Sequence, residues 1–302
     1  MRQFLLNIEL APLEKFSVKG KDFKYLAQVL RLSQGSTFEG RLPSGGLCTL
    51  KVLLRTKSEI ILQRAGDASG ENAEQALQNF SGSTVEGGMS AALVAQNEAA
   101  CILPDGTCSG YGAPIWLVQC MPKASKLDDI VRQCTEIGVE KIFLVASDRS
   151  AVEAKNSSSL KIERWNRIIK EARQQSASPV ATVLYAPAEI KEVLKTLKDC
   201  LEQRHAENGV DAEEKTAFLV MTEAPLHRKG LHELLKSKPS PVVLAVGSEG
   251  GISPAELEML TEFGFEPLHF STNVLRSETA AIYGVSAVQS IMTEFSLWQC
   301  KE

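Results

Sequence analysis

An apolar strand pattern, a glycine-rich loop and the start of a helix follow one another without interruption near residue 250. The apolar run Val242–Val246 is typical of a strand that is covered on both faces in a parallel sheet. It leads into the loop GSEGG, whose three glycines allow close backbone approach to a ligand. Ser253, Pro254 and Glu256 then predict a helix that begins with a capping box. Open α/β sheets bind ligands where strands end and helices begin, so this stretch predicts a ligand site.

A second unit of the same kind follows it. Residues 265–270 predict a short strand after the helix-ending Gly264, and residues 271–276 form a polar loop. Ser277 is predicted to cap the next helix, with Glu278 in its first turn, where the helix dipole favours negative charge. Apolar residues then recur every three or four positions from 282 to 295, so one face of this last helix is predicted to pack on the core.

Upstream, from residue 113, short apolar runs alternate with helical patterns. Strands are predicted at residues 115–120, 141–146, 182–185 and 217–221. Helices are predicted from residue 127 to Gly138, over residues 160–175 and from residue 190. At least five buried-type strands therefore alternate with helices, which predicts a layered α/β fold.

The first 65 residues have a different character. They carry 11 Lys and Arg against 5 Asp and Glu, in a chain whose net charge is -4. A helical pattern at residues 23–32 precedes strands near 36–41, 47–55 and 60–63, with a glycine-rich hairpin turn at 43–46. The pattern predicts a small β-barrel-like module with one helix. Its basic charge fits either phosphate binding or ordinary solvated surface, and charge alone leaves both open.

Residues 66–112 are rich in Gly, Ser, Ala, Asn and Gln, and they carry six acidic residues and no basic one. Such a segment buries little apolar surface, so we expect a flexible insertion, with residues 90–103 apolar enough to pack locally.

Composition narrows the class of protein. No apolar run reaches the length of a membrane span, and the N-terminus lacks a signal-peptide pattern, so we expect a soluble cytoplasmic protein. The seven cysteines are odd in number and form no C-x-x-C pair, which indicates reduced thiols and no zinc site. The four histidines are scattered, and we expect no metal.

Two motifs together carry a family resemblance. GSEGGIS, followed by NVLRSETAA at the head of the last helix, resembles the RsmE family of 16S ribosomal RNA uracil-N3-methyltransferases in the SPOUT superfamily. The usual family forms are GPEGG and GxRxLRTETA. The stretches VLRLSQGSTFEG, EIGV and SDRS resemble the family as well. The resemblance implies a SPOUT-type parallel sheet with a C-terminal trefoil knot, preceded by a PUA-like β-barrel that binds RNA. The corresponding domains are residues 1–65 and 113–302, joined by the insertion at 66–112.

The resemblance also implies S-adenosylmethionine (SAM) as the cofactor, held among three loops that follow strands. The implied cofactor-binding residues are Met221, Thr222, Gly247, Ser248, Glu249, Gly250, Gly251, Ile252, Phe270, Ser271, Val274, Leu275, Arg276, Thr279 and Ala280. Arg276 is also the implied catalytic residue beside the uracil, and Glu249 or Glu278 is expected to orient it. The implied RNA-binding residues are Lys24, Arg31, Lys123, Lys126 and Arg149. The implied partners are 16S rRNA in the small ribosomal subunit and a second copy in a homodimer.

The sequence departs from the family pattern at several positions. Ser248 stands where proline is usual, and Ser271 and Asn273 stand where glycine and arginine are usual. Ser178 lies near the place of a second arginine. The altered arginines and the insertion leave open a SPOUT methyltransferase that acts on another RNA. A further alternative is a catalytically idle RNA-binding or ribosome-assembly protein that keeps the fold.

Overall fold

The computed structural model describes residues 3–66, 84–85, 113–150, 159–208, 215–224 and 229–295. The chain divides into two compact units, Met1–Cys108 and Ser109–Glu302. Most of the insertion predicted at 66–112, including residues 90–103, lies outside the described residues. The boundaries 1–65, 66–112 and 113–302 therefore stay a prediction.

The first unit contains a six-stranded sheet. Its described strands are β1 (Phe4–Leu5), β2 (Lys15–Lys19), β3 (Thr37–Arg41), β4 (Leu47–Arg55), β5 (Glu59–Arg64) and β6 (Thr84–Val85). The spatial order is β1-β3-β4-β5-β2-β6, and β3, β4, β5 and β2 pair antiparallel. The helical segment is α1 (Gly20–Lys24), which continues as one π-helical turn, Tyr25–Val29. It begins and ends about three residues earlier than the predicted helix.

Side-chain packing and hydrogen bonds fix the β3–β4 hairpin in this sheet. A Cβ atom on Gly40 would lie 2.6 Å from the buried Leu50 side chain, so a larger residue at this position would force Leu50 to move. The buried Arg41 guanidinium donates to Gln3 Oε1 over 3.0 Å and to the carbonyl of Gly45 over 2.7 Å. One buried cation thus links Gln3, the residue before β1, to the β3–β4 turn.

The second unit is built on a six-stranded parallel sheet. Its strands are β7 (Ile115–Cys120), β8 (Lys141–Val145), β9 (Val183–Ala188), β10 (Ala217–Met221), β11 (Val242–Val246) and β12 (Glu266–Leu268). The order is β12-β10-β11-β7-β8-β9. The described helices are α2 (Ala124–Ile137), α3 (Ser159–Ser176), α4 (Ile190–Asn208), α5 (Leu231–Leu234), α6 (Pro254–Phe263) and α7 (Ser277–Phe295). The α/β prediction is confirmed.

Two apolar clusters, one on each face of the sheet, form the core. On one face Leu117, Leu244 and their neighbours pack against α2, α3 and α7. On the other face Trp116, Val243 and their neighbours pack against α4 and α6. Side chains alternate between the faces along each strand, so a strand buried on both sides reads as a continuous apolar run. The helices cover the faces of the sheet, and the loops that follow the strands lie at its carboxyl edge.

The helix ends test the sequence signals directly. The capping box of α6 is confirmed, because Ser253 Oγ accepts from the N–H of Glu256 and the Glu256 carboxylate accepts from the N–H of Ser253. Gly138 and Gly264 end α2 and α6 in left-handed conformations, as predicted. The predicted cap at Ser277 is wrong. Ser277 is the first residue of α7, its hydroxyl donates to the carbonyl of Gly247, and the Arg276 carbonyl accepts from the N–H of Ala280.

Within the described ranges, no helix is long and apolar enough to cross a membrane. In the same ranges, the thiols of Cys48, Cys120, Cys134 and Cys200 are buried and unpaired. Burial raises the pKa of the Cys120 and Cys134 thiols to about 12, so both stay protonated at neutral pH.

Candidate functional site

A cavity of about 280 Å³ opens at the carboxyl ends of β10, β11 and β12. Its walls come from three segments that follow these strands, namely residues 221–224, 246–252 and 269–280, with Arg149 and Leu257 at its side. The volume is close to the lower end of small-molecule pockets. The position agrees with the ligand site that the strand and loop pattern predicts.

The glycine loop after β11 forms one wall in a tight turn. The N–H of Gly251 donates to the carbonyl of Ser248 over 3.0 Å, and Gly251 has a φ of 73° that favours glycine. A Cβ atom on Gly247 would lie 2.9 Å from the backbone carbon of Gly251. Two of the three glycines are therefore required by the turn itself.

Arg149 holds this loop from outside. Its Nη1 donates to the carbonyl of Gly250 over 3.0 Å and to that of Ile252 over 3.2 Å. In return the buried Ser248 hydroxyl donates to the Arg149 carbonyl over 3.0 Å. The loop after β8 and the loop after β11 are thus joined in both directions.

A buried carboxylate strengthens the same junction. The two oxygens of Glu256 accept from the backbone N–H groups of Asp148 and Ser253, over 3.0 and 2.8 Å. Ser253 Oγ donates to Asp148 over 3.1 Å. Glu256 is only 2% exposed, and its two backbone donors satisfy a charge that would be costly to bury alone.

Lys126 lies between two glutamates from the motif stretches. Its Nζ is 3.4 Å from Glu249 and 3.1 Å from Glu278. The hydrogen bond to Glu278 raises the pKa of Lys126, against a smaller opposing effect of desolvation. Desolvation would raise the pKa of Glu249, but backbone N–H donors, including that of Lys123, and the Lys126 ammonium outweigh it and lower that pKa. The cluster joins α2, the glycine loop and α7 through charge.

Gln119 is the next-to-last residue of β7 and contacts residues of two cavity walls. Its side chain is fully buried, and its Nε2 lies 2.8 Å from the Cys120 carbonyl, 3.1 Å from Ser277 Oγ and 3.3 Å from the Gly247 carbonyl. Ser277 Oγ in turn donates to the Gly247 carbonyl over 2.6 Å. Gln119 itself does not line the cavity, whereas Gly247 and Ser277 do.

The structure brings most of the cofactor-binding residues implied by the resemblance to one place. Those that line the cavity are Met221, Thr222, Gly247, Ser248, Gly251, Ile252, Phe270, Val274, Leu275 and Ala280. Glu249, Gly250, Ser271, Arg276 and Thr279 lie on the same segments but outside the lining. Arg276 is exposed where α7 begins. Its role beside a substrate stays a prediction.

The residues predicted to bind RNA differ in their surroundings. Lys24, Arg31 and Lys123 are exposed, and none of them forms an ion pair with another described residue. Lys126 is paired with two glutamates, and Arg149 is bonded to loop carbonyls. Lys126 and Arg149 therefore have structural partners already.

Some cavity residues were not singled out from the sequence. His269 lines the cavity, and its Nδ1 lies 3.1 Å from the Thr222 carbonyl, so Nδ1 carries a proton because a carbonyl only accepts. Thr272 and Leu257 also line it. Gln119 was missed too, although a glutamine in the apolar strand IWLVQC is a signal that sequence reading can use. Across the described segments, no group of three or more His, Cys, Asp or Glu residues could hold a metal ion.

Comparison with known proteins agrees with this geometry. The model of the RNA methyltransferase domain family matches residues 111–289, which covers more than half of the chain. The chain belongs to the RsmE family of RNA methyltransferases. Relatives named ribosomal RNA small subunit methyltransferase E include one from Synechocystis sp., 26% identical over 179 residues, which are 59% of this chain and 54% of the relative. One from Bacillus subtilis is 27% identical over 207 residues, 67% of this chain and 75% of the relative.

Solved structures extend the likeness of this RsmE-family chain to nearly its whole length. A ribosomal RNA small subunit methyltransferase E from Neisseria gonorrhoeae, bound to SAM, has a TM-score of 0.68 at 18% identity and covers 96% of this chain and 98% of its own. A Legionella pneumophila protein in complex with SAM has a TM-score of 0.67 at 20% identity, with 95% and 96% covered. At these identities the likeness shows the fold. The sequence match to the Synechocystis relative spans about half of that relative's length.

Proposed function

We propose that this chain is a SAM-dependent methyltransferase that modifies N3 of a uridine in 16S rRNA of the small ribosomal subunit. One observation carries the proposal: both motif stretches line a single cavity at the carboxyl edge of the sheet, in a chain of an RNA methyltransferase family. The names of the relatives supply the rRNA substrate, and the SAM-bound structural neighbours supply the cofactor.

The residues present fit SAM. The cavity lining mixes apolar side chains, such as Met221, Ile252 and Phe270, with glycines and small polar residues, which suits a ligand that carries both apolar and polar groups. A Cβ atom on Gly247 would meet the Gly251 backbone, and Gly251 has a φ of 73°, so the turn itself favours glycine at both positions and neither residue places a side chain between backbone and ligand. The sulfonium of bound SAM supplies an activated methyl group, so the chain has only to bind, orient and exclude water.

The methyl acceptor, uracil N3, must be activated, whereas the methyl donor, SAM, is already reactive. Uracil N3 carries a proton and is a poor nucleophile until that proton leaves, and a nearby cation favours the anion that results. We assign this role to Arg276, the exposed guanidinium where α7 begins. Glu249 and Glu278 are both ion-paired to Lys126, so their part in the proposal is to fix the glycine loop against α7.

The finer features of the family belong to the same proposal. They are a trefoil knot in the C-terminal unit, a PUA-like RNA-binding domain at 1–65, a linker at 66–112, a homodimer and a cytoplasmic location. Lys24, Arg31 and Lys123 are the proposed phosphate contacts, because they are exposed cations without an ion pair among the described residues. Lys126 and Arg149 are retained only as weaker candidates, because both have protein partners.

The decisive experiment is methyl transfer from isotopically labelled SAM to small ribosomal subunits that lack the modification, followed by nucleoside mass spectrometry. The expected result is N3-methyluridine at a single 16S site. SAM binding is measured in parallel by calorimetry. Binding without transfer to 16S rRNA would favour a SPOUT enzyme for another RNA. Neither binding nor transfer would favour the idle RNA-binding or assembly protein.

A further inference from the structure

We infer that Gln119 is a positioning residue that holds two walls of the cavity, the glycine loop after β11 and the first turn of α7, in their ligand-binding arrangement. The inference rests on the proposed function for the identity of the ligand, SAM. Gln119 lies on the strand beneath the cavity and is no part of its lining, so it acts through Gly247 and Ser277.

The hydrogen bonds of this amide follow from its neighbours. The three partners of Nε2 are all oxygens: the Cys120 carbonyl at 2.8 Å, Ser277 Oγ at 3.1 Å and the Gly247 carbonyl at 3.3 Å. A reversed amide would turn its own oxygen toward two carbonyls, so the nitrogen must face them. One N–H serves Cys120 within the strand, and the other is shared between Gly247 and Ser277.

The Ser277 hydroxyl completes the linkage. Its proton points to the Gly247 carbonyl over 2.6 Å, so its lone pairs are available to accept from Gln119. Gly247 and Ser277 belong to different walls of the cavity, and Gln119 touches both. Because Gly247 also packs against the backbone of Gly251, a shift at Gly247 is passed to the whole turn.

Burying the Gln119 amide costs free energy because its oxygen is unpaired within the described part of the chain, and this cost argues against an incidental contact. Gln119 is fully buried, and its Oε1 has no hydrogen-bond partner among the described residues. The neighbouring positions of β7 are apolar, so an apolar side chain of similar length would satisfy the core without leaving a buried oxygen unpaired. What such a side chain lacks is the N–H shared by the two walls.

The test compares Gln119→Met, Ser277→Ala and the double variant with wild type in the full-length chain. The ligand is S-adenosylhomocysteine, the demethylated product, measured by calorimetry. Each single variant is expected to raise Kd by about tenfold, and the double variant by little more than the larger single effect, because both changes break one linkage. Thr182→Val is the matched control. It removes another buried hydroxyl bond, to the Val139 carbonyl over 2.7 Å, at the opposite end of the sheet, and should leave Kd unchanged.

Hydrogen exchange of the ligand-free chain gives a readout that needs no ligand. The amides of residues 247–251 and 277–280 should exchange faster in Gln119→Met than in wild type. In Thr182→Val their exchange rates should equal those of wild type. If wild type binds no S-adenosylhomocysteine, the proposed function fails, and exchange alone reports whether Gln119 orders the walls. If wild type binds the ligand, two results would overturn the inference: a Kd for Gln119→Met within twofold of the wild-type Kd, or a double variant whose loss of binding free energy equals the sum of the two single losses. Either result would leave the proposed function intact.

Discussion

The Ser248 hydroxyl donates a 3.0 Å hydrogen bond to the backbone carbonyl of Arg149, and the Arg149 guanidinium donates back to the carbonyl of Gly250 over 3.0 Å. Ser248 stands where related sequences usually have proline, which has no side-chain donor. The departure is therefore accompanied by a bond that proline cannot make. This bond ties the glycine loop to the loop that follows β8.

Ser248→Ala is expected to destabilise the chain by about 1 kcal/mol, because the Arg149 carbonyl loses a buried donor. The measurement is the free energy of unfolding from urea titration. Ser237→Ala, in an exposed turn, is the control and should change stability by less than about 0.5 kcal/mol. Equal stabilities for the two variants would show that the Ser248 bond contributes nothing.

Gly247→Ala tests the tight turn beside the cavity. The new Cβ would lie 2.9 Å from the Gly251 backbone, which cannot rotate away as a side chain can. We expect a loss of about 1–3 kcal/mol in unfolding free energy, as for overpacked sites, together with at least a tenfold rise in the Kd for SAM. Gly230→Ala is the matched control, because Gly230 has open space around its Cβ position and a φ of -78°. Wild-type affinity in a folded Gly247→Ala would remove this turn from the cofactor site.

Local signals explain which elements the sequence predicts well. The bounds of β11 agree residue for residue with the apolar run at 242–246, and α6 begins at Pro254 because the capping box is complete within four residues. By contrast, residues 265–270 yield a strand of only three residues, because β12 is an edge strand whose ladder with β10 spans Glu266 to Leu268. Strand β2, KFSVK, went unpredicted because its short alternation carries two lysines.

The site was predictable where it depends on neighbours in sequence, and unpredictable where distant segments meet. The glycine loop could be assigned as a ligand loop from its own residues. A serine before a helix usually caps it, so the sequence predicts a cap at Ser277, whereas the Ser277 hydroxyl donates to the carbonyl of Gly247, thirty residues earlier. The role of Gln119 depends on its bonds to residues more than a hundred positions away, and no local pattern encodes them.

The Lys126 cluster predicts a pH dependence of stability. The pKa of Glu249 is lowered in the folded chain, so its contribution is present above its ordinary value of 4.5 and is lost as pH falls through the folded value. The pKa of Lys126 is raised, so its contribution to stability is present below pH 10.5 and is lost only as pH rises beyond that.

The unfolding free energies of wild type and Glu249→Gln should therefore converge as pH falls from 6 to 3. Glu262→Gln, on the exposed side of α6, controls for loss of a carboxylate, and a gap that stays constant with pH would contradict the assignment.

The exposed cations of the first unit should contribute to RNA binding through their attraction to phosphate. Each cation that binds a phosphate makes log affinity fall more steeply with log salt concentration, by about 0.7–0.9 in slope. Lys24→Gln and Arg31→Gln are each expected to make the slope shallower by that amount, measured with 16S rRNA fragments between low and moderate salt.

Lys126→Gln should leave the salt slope unchanged, because Lys126 is already paired with Glu249 and Glu278. Lys191→Gln, an exposed lysine of α4, is the control. A slope that changes only for Lys126→Gln would mean that RNA displaces the two glutamates and that the basic surface of the first unit is solvated without binding phosphate.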